Sequence, residues 1–387
     1  MKKIVIVTGD QYPFEDAGAI REHAIAKIFE MLGYSVTVIG YGKSTNGQLR
    51  QYDGVRYLSM RPKSANKIVR GVCRVTFAHK ALSYVKKHLS DVDAILIVEF
   101  SKAYGYKIFE KYALKHNMRL IHDSVEWYSP EQFANGEKSK TLQLKNLVNE
   151  TLVSKNWNVI AISQYLEEHF KKQCHATVRI PVIMDMDQIG YRTTCEKNEK
   201  KIKLVYAGSP GRKDYLHVMI SGLVMLTEAQ KQRLEFHIIG VNEMQLISAC
   251  GVAQDDVTAL KDVLHVHGRV SHDEAVRWVK DADYTLLLRD PSLRYAKAGF
   301  PTKIVESLAC GTPPICNLSS DLGLYLVDSQ NSFLIDDVSP QSVKRTLDRV
   351  LECGQEKMIE MRCEARKSAI RYFDYKNYLE GVKALLK

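Results

Sequence analysis

The chain has 387 residues, 45% hydrophobic and 26% charged, with a formal net charge of +10: the balance of a soluble globular protein long enough for two domains. Its eight cysteines are scattered, without a Cys-x-x-Cys pair or a Cys/His cluster at zinc spacing, so neither a disulfide framework nor a metal site is expected and a reducing cytoplasm fits. The apolar run after Met1-Lys2-Lys3 ends at Gly9-Asp10, too short for a signal peptide or a spanning helix.

In chain order, residues 3–8 read as a buried strand, 19–32 as a helix stopped by Gly33, and 35–39 as a second strand. No acidic residue lies between Asp53 and Asp91, whereas Arg56, Arg61, Lys63, Lys67, Arg70, Arg74, Lys80, Lys86 and Lys87 are all basic. Ile68, Val72, Val75, Phe77, Leu82, Val85 and Leu89 suggest one or two amphipathic helices in that stretch. Such a face suits an anionic membrane surface; the other reading is a solvated basic surface with an apolar inner side. Nucleic acid is not expected, because the segment lacks interleaved aromatic pairs and a recognition motif. Residues 94–99, 119–122 and 159–162 are further strands, each near a helical segment, which predicts a parallel sheet covered on both faces.

The second half repeats the scheme, with strands at 203–206, 235–239, 264–267, 284–288, 314–316 and 332–335 and a helix around 273–280. The polar run 192–201, with Glu196, Lys197, Asn198, Glu199 and Lys200, separates the halves. The fold class that follows is α/β, two doubly wound Rossmann-like domains facing a central cleft, with ligands at the carboxyl ends of the strands. A nicotinamide-dependent dehydrogenase also has two α/β domains, but neither Gly9 nor Gly208 opens a G-x-G-x-x-G turn with an acidic partner downstream.

Residues 298–316, Ala-Gly-Phe-Pro-Thr-Lys-Ile-Val-Glu-Ser-Leu-Ala-Cys-Gly-Thr-Pro-Pro-Ile-Cys, carry the most information. Pro301 suits the first turn of a helix, Ile304, Val305, Leu308 and Ala309 have helical spacing, and Gly311 suits a left-handed cap. Free N–H groups at such a helix start can bind phosphate. The stretch resembles the donor-sugar motif of family-4 glycosyltransferases, in which two glutamates flank a phosphate-binding loop ahead of a small-Gly-x-Pro tail. Glu306 matches the second glutamate and Gly311 with Pro313 the tail, while Ala298 stands where the first glutamate is usual. Pro301, Lys303 and Glu306 form a Pro-x-Lys-x-x-Glu variant that looks like a branch of that family.

The resemblance implies a GT-B fold over nearly the full length: an acceptor-side domain (1–190), a nucleotide-sugar domain (191–368) and a C-terminal helix within 369–387 that crosses back to the first. Tyr375, Tyr378, Leu379, Val382 and Leu385 have the spacing of that helix. It also implies roles. Gly208 and Ser209 bring backbone to the donor phosphates, with Lys213 matching the family lysine and Arg212 compensating for Ser209, where many members have arginine. Glu306 would accept from the ribose hydroxyls; its other reading is an ion pair with Lys303 on the helix surface. Gly299, Phe300, Pro301, Thr302 and Lys303 would line the phosphate and sugar, with Asp290 and Arg289 as further sugar contacts, and Arg269 after Gly268 would sit near the base.

In the first domain, His122 would reach the reacting centre unless it is a core histidine, and Asp123 and Glu126 would bind acceptor hydroxyls. Gly18 and Arg21, in the loop 8–21, would approach the same centre. The expected activity is retaining transfer from a UDP- or GDP-sugar to a glycan or lipid-linked glycan, with no metal and no other cofactor, the cations taking the metal's role. Three readings stay beside it: a catalytically weak partner subunit of the same fold, motivated by Ala298; a sugar-nucleotide epimerase; and an inverting transferase using Asp10, Glu15 or Asp16 as base.

Overall fold

The computed structural model describes residues 1–13, 17–64, 66–193 and 201–386. Glu15, Asp16 and the run Glu196–Lys200 lie outside the described residues. The chain forms two compact units: Met1–Pro130 with Asn135–Met184 and Asp374–Lys387, and Glu131–Ala134 with Asp185–Phe373.

Among the described residues of unit 1, eight strands form one sheet: β1 (Lys3–Val7), β2 (Ser35–Lys43), β3 (Arg50–Tyr52), β4 (Val55–Arg61), β5 (Ala94–Ile97), β6 (Arg119–Ser124), β7 (Asn158–Ala161) and β8 (Ala176–Arg179). The order is β3-β4-β2-β1-β5-β6-β7-β8, parallel except for the β3–β4 hairpin. β1, β5 and β7 are apolar on both faces because helices cover both sides, and Ile4, Ile6, Leu96, Ile121 and Ile160 form the core with Ile25 and Phe29 of helix Ala17–Met31.

The basic stretch contains strand β4 before a single helix, Lys67–His88, so the expected helical character begins later than the charge does. The C-terminal segment is a tight helical turn, Tyr375–Tyr378, followed by helix Leu379–Ala384, not one continuous helix. Val382 and Leu385 are buried in the unit 1 core, and Asn158 Nδ2 donates to Leu385 O at 2.8 Å.

Unit 2 holds β9 (Ile202–Ala207), β10 (Leu234–Ile239), β11 (Leu264–Val266), β12 (Tyr284–Leu287), β13 (Pro314–Cys316) and β14 (Phe333–Leu334). They form a parallel sheet in the order β11-β10-β9-β12-β13-β14. Two buried arginines of helix Gln355–Phe373 tie its covering layer together. Arg362 donates to the carbonyls of Arg192, Lys280 and Ala282 at 3.0, 3.1 and 2.7 Å, and Arg366 to those of Ala309 and Met186, both at 2.6 Å. These carbonyls include the ends of helices His272–Asp281 and Thr302–Ala309, whose final C=O groups have no partner within the helix.

Candidate functional site

The carboxyl ends of β9, β10 and β11 are each followed by a glycine with positive φ: Gly208 (134°), Gly240 (114°) and Gly268 (71°). The first two are held in close approach. A Cβ on Gly240 would sit 2.3 Å from Gly208 O, and one on Gly208 would sit 2.5 Å from Lys303 Cε. Gly208 N donates to Ile239 O at 2.9 Å and Gly240 N to Gly268 O at 2.7 Å, so the three turns form one backbone layer. Only a residue without a side chain lets the Lys303 stem lie across the first turn.

Lys303 is fixed from below by Asp214. The Asp214 carboxylate, buried at the end of the 208–214 loop, accepts from Lys303 Nζ at 2.9 Å, Arg289 Nε at 2.7 Å and Tyr206 Oη at 2.7 Å. Burial pushes this carboxyl up, but the Arg289 and Lys303 cations outweigh it and hold it well below the usual carboxylate range. The Lys303 ammonium also lies 5.4 Å from the centre of the Tyr206 ring, and its side chain stays 24% exposed. A cation held by a buried anion on one side and open on the other can take an anionic ligand.

Helix Thr302–Ala309 starts beside this cluster, with Pro301 as the residue before its first turn and Gly311 (φ 70°) just past its end. The amides of Phe300, Thr302 and Lys303 make no hydrogen bond among the described residues. Gly299 differs from expectation: its N–H donates to Tyr295 O at 2.9 Å, closing helix Arg294–Ala298, so it is not free for a sugar. Phe300 is buried against the rings of Tyr325 and Phe373.

Glu306 does not pair with Lys303, which is committed to Asp214. Its carboxyl has no hydrogen bond or ion pair among the described residues. Burial pushes its pKa up, with His272 and Lys303 offsetting part of that. The residue is half-buried, so this unpaired carboxylate stays open to a ligand.

The remaining predicted residues fall at varied depths. Arg212, Ser209 and Arg269 are exposed, and the two arginines make no hydrogen bond or ion pair among the described residues. Lys213 is half-buried, and its carbonyl accepts from Tyr295 Oη at 2.7 Å. Asp290 is occupied by its own loop, accepting from Ser292 N at 2.9 Å and Ser292 Oγ at 2.6 Å. Among the described residues, no group of three or more His, Cys, Asp or Glu is placed to hold a metal ion.

In unit 1 the structure corrects three expectations. His122 is fully buried beside the rings of Tyr106, Trp157 and Phe170; its Nδ1 is 3.0 Å from Ile97 O and its Nε2 is unpartnered. Burial pushes its pKa down to about 3, with Lys145 adding to the shift, as for a neutral core histidine closed to substrate. Asp123 and Arg21 are both buried and paired with each other at 2.8 and 2.9 Å, which leaves neither open to an acceptor hydroxyl. Gly18 lies in the first turn of helix Ala17–Met31 and not in the preceding loop. Glu126 is half-buried and hydrogen-bonded by Tyr128.

Sequence reasoning missed Asp214 as the anchor of the cluster and Gly240 as the partner of Gly208. Gly240 carried the same signal as Gly208, a glycine directly after an apolar strand.

Residues 190–369 match the family model described as glycosyl transferases group 1. An uncharacterised glycosyltransferase of Methanocaldococcus jannaschii is 22% identical over 203 residues, a match spanning half of this chain and about half (49%) of that relative. Among solved structures, a sucrose-phosphate synthase from Thermosynechococcus elongatus superposes with a TM-score of 0.72 at 16% identity, covering 100% of this chain and 98% of the other. Anabaena HepE in complex with UDP-glucose superposes at 0.68 and 15% identity, covering 100% and 99%. At such identities the likeness is one of fold. The chain therefore has a GT-B-type fold of two Rossmann-like α/β units, the second bearing the match to glycosyl transferases group 1.

Proposed function

We propose that the protein is a retaining, metal-independent glycosyltransferase that moves a sugar from a nucleotide-diphosphate sugar to a glycan or lipid-linked glycan acceptor. The observation that carries this reading is helix Thr302–Ala309: it brings unpaired Glu306, unpaired amides and the Asp214-held Lys303 to the glycine layer behind β9 and β10. In this reading unit 2 binds the donor. Glu306 accepts from the two ribose hydroxyls. Lys303, Lys213, Arg212 and the amides of Phe300, Thr302 and Lys303 hold the diphosphate beside Gly208, Ser209 and Pro301, and Arg269 lies near the base.

The sugar–phosphate C–O bond breaks as the acceptor oxygen bonds the anomeric carbon, and the hydroxyl proton passes to the departing diphosphate. The cations stabilise the charge that develops there, the role a divalent ion would otherwise take. Retention rests on the resemblance to family-4 transferases. Unit 1 supplies the acceptor side, with Glu126 the remaining acceptor-binding choice there. UDP-glucose is the first donor to try, because HepE is known in complex with it.

A catalytically weak partner subunit is the second reading. Ala298, where the resemblance expects a glutamate, is fully buried and offers no carboxylate.

Thermal unfolding with UDP, GDP and ADP tests the first reading, alongside the Lys213→Ala protein. A nucleotide at about a hundred times its dissociation constant adds roughly 2.7 kcal/mol. A shift with one nucleotide, weakened in the variant, and a product heavier by one sugar with its anomeric configuration kept, support a retaining transferase. A nucleotide shift without product supports the partner subunit, and no shift at all defeats the donor site.

A further inference from the structure

Helix Lys67–His88 has two halves of different character. Phe77, Ala78, Ala81, Leu82 and Val85 of its second half are buried in unit 1. Its first half carries an apolar stripe that is not buried: Ile68 is 77% exposed, Val72 58% and Val75 52%, with Val69 beside them at 40%. At about 100° per residue, Ile68, Val72 and Val75 fall within roughly 60° of one another, and the five buried residues of the second half centre roughly 115° around the axis from them, with Leu82 nearest the stripe. The first half of the helix thus leaves its apolar stripe in water, and that half is held to the unit through its backbone. That hold is on the other side, where Tyr41 Oη donates to Arg70 O at 2.9 Å and Ser101 Oγ to Arg74 O at 3.2 Å.

We infer that this stripe docks on an anionic lipid bilayer. Four branched aliphatic side chains clustered in two helical turns and left in water are a surface that favours burial elsewhere. Their surroundings select the occupant. Lys63, just before the helix, and Lys67, Arg70 and Arg74, to the sides and rear of the stripe on the same half of the helix, are exposed, and no acidic residue occurs from 54 to 90. A second copy of the chain would crowd two such basic helix halves together with no acidic residue of the stretch between them. An anionic headgroup layer neutralises these cations while its acyl boundary receives the aliphatic side chains. No described helix is long and apolar enough to cross a membrane, so this attachment is to one leaflet. It would hold unit 1 at the surface where lipid-linked acceptors reside, but it does not depend on the transfer reaction.

Vesicle co-sedimentation tests it without reading any activity. The full chain is mixed with vesicles of phosphatidylcholine alone, or of phosphatidylcholine with phosphatidylglycerol, at low and raised salt. The expected result is pelleting with the anionic vesicles only, weakened by salt. The Ile68→Ser/Val72→Ser protein should lose pelleting, and Lys67→Gln/Arg70→Gln should bind about fivefold more weakly per cation removed. Both variants change exposed positions, and unaltered circular dichroism and thermal midpoint confirm their folding. A chain that stays in solution with anionic vesicles overturns the inference, as do variants that pellet like the unaltered protein. So does a dimer, dispersed by Ile68→Ser/Val72→Ser, that binds no vesicle.

Discussion

Asp214 and Lys303 stand 89 residues apart in sequence, yet their side chains meet at 2.9 Å beside the glycine turn at 208. The anion makes the lysine a fixed cation instead of a mobile one. Replacing Lys303 by Met should leave unit 2 folded, since Arg289 still pairs with Asp214, and should lower UDP affinity by about 1.5–3 kcal/mol, as for a lost charged hydrogen bond. Titration calorimetry with UDP and with uridine separates the effects: uridine binding should be unchanged. Asp214→Asn should instead destabilise the fold by about 3–5 kcal/mol, because two cations lose their buried counter-charge. Urea unfolding reads that cost.

Glu306 predicts opposite signs for stability and binding. Partial burial raises the pKa of its carboxyl, so at neutral pH its charge works against folding. Glu306→Gln should leave the ligand-free protein as stable as before or more stable by up to about 1 kcal/mol. The same change should weaken nucleotide-sugar binding by roughly 1.5–3 kcal/mol. A thermal midpoint that falls together with affinity would show the carboxylate to be structural.

Gly240→Ala should cost about 2–4 kcal/mol in urea unfolding, from a left-handed backbone and a Cβ forced to 2.3 Å from Gly208 O. The displaced 208 turn should also lose UDP affinity. Gly208→Ala should likewise lower stability, through its positive-φ backbone, and should lose binding as well because its Cβ displaces the Lys303 stem.

Acid should destabilise the protein in two steps. Burial lowers the pKa of His122 from 6.5 to about 3 and that of His237 to about 4; for His237, His265 and His267 lower it further while Glu235 opposes. Both rings are neutral in the folded chain, so the unfolded chain takes up their protons first. Stability is therefore unaffected above about pH 6.5 and falls as pH drops from there towards 4. Asp214 adds its own loss only below its ordinary 3.8, because its folded pKa is depressed. His122→Gln, which can still donate to Ile97 O, should flatten the first step by on the order of 3 kcal/mol at pH 4. An unchanged pH profile in that variant would place the acid sensitivity elsewhere.

Arg362→Met should lower unfolding stability by about 3–5 kcal/mol, because the carbonyls of Arg192, Lys280 and Ala282 lose a shared donor in a fully buried place. Arg362→Lys should recover only part of this, since an ammonium cannot reach three separated acceptors as a planar fork does.

The strands legible in the sequence were those buried on both faces, such as β1 (Lys-Ile-Val-Ile-Val) and β10, where apolar runs leave no ambiguity. β8 (Ala-Thr-Val-Arg) was missed because it is an edge strand with every residue half-buried, so no apolar run marks it. β3 and β4 were masked by their charge, although Asp53-Gly54, both at positive φ, is a two-residue hairpin turn between them. At the site, the helix start was readable from local spacing, whereas Glu306 was singled out by the resemblance to the family motif. The Asp214 network was not, because Arg289 and Lys303 reach it from 75 and 89 residues away. His122 was misplaced because a strand-end histidine looks alike whether it opens to solvent or faces Trp157.

Unit 1 is built from segments that precede and follow unit 2 in the chain, with Val382 and Leu385 filling its core and Leu385 O accepting from Asn158. On a ribosome this reverses the usual order. The segment translated first waits with an open hydrophobic face until residues 379–386 emerge, while unit 2 can finish beforehand. A stop codon near residue 374 would spare the later-made unit and leave the earlier-made one as a client for chaperones.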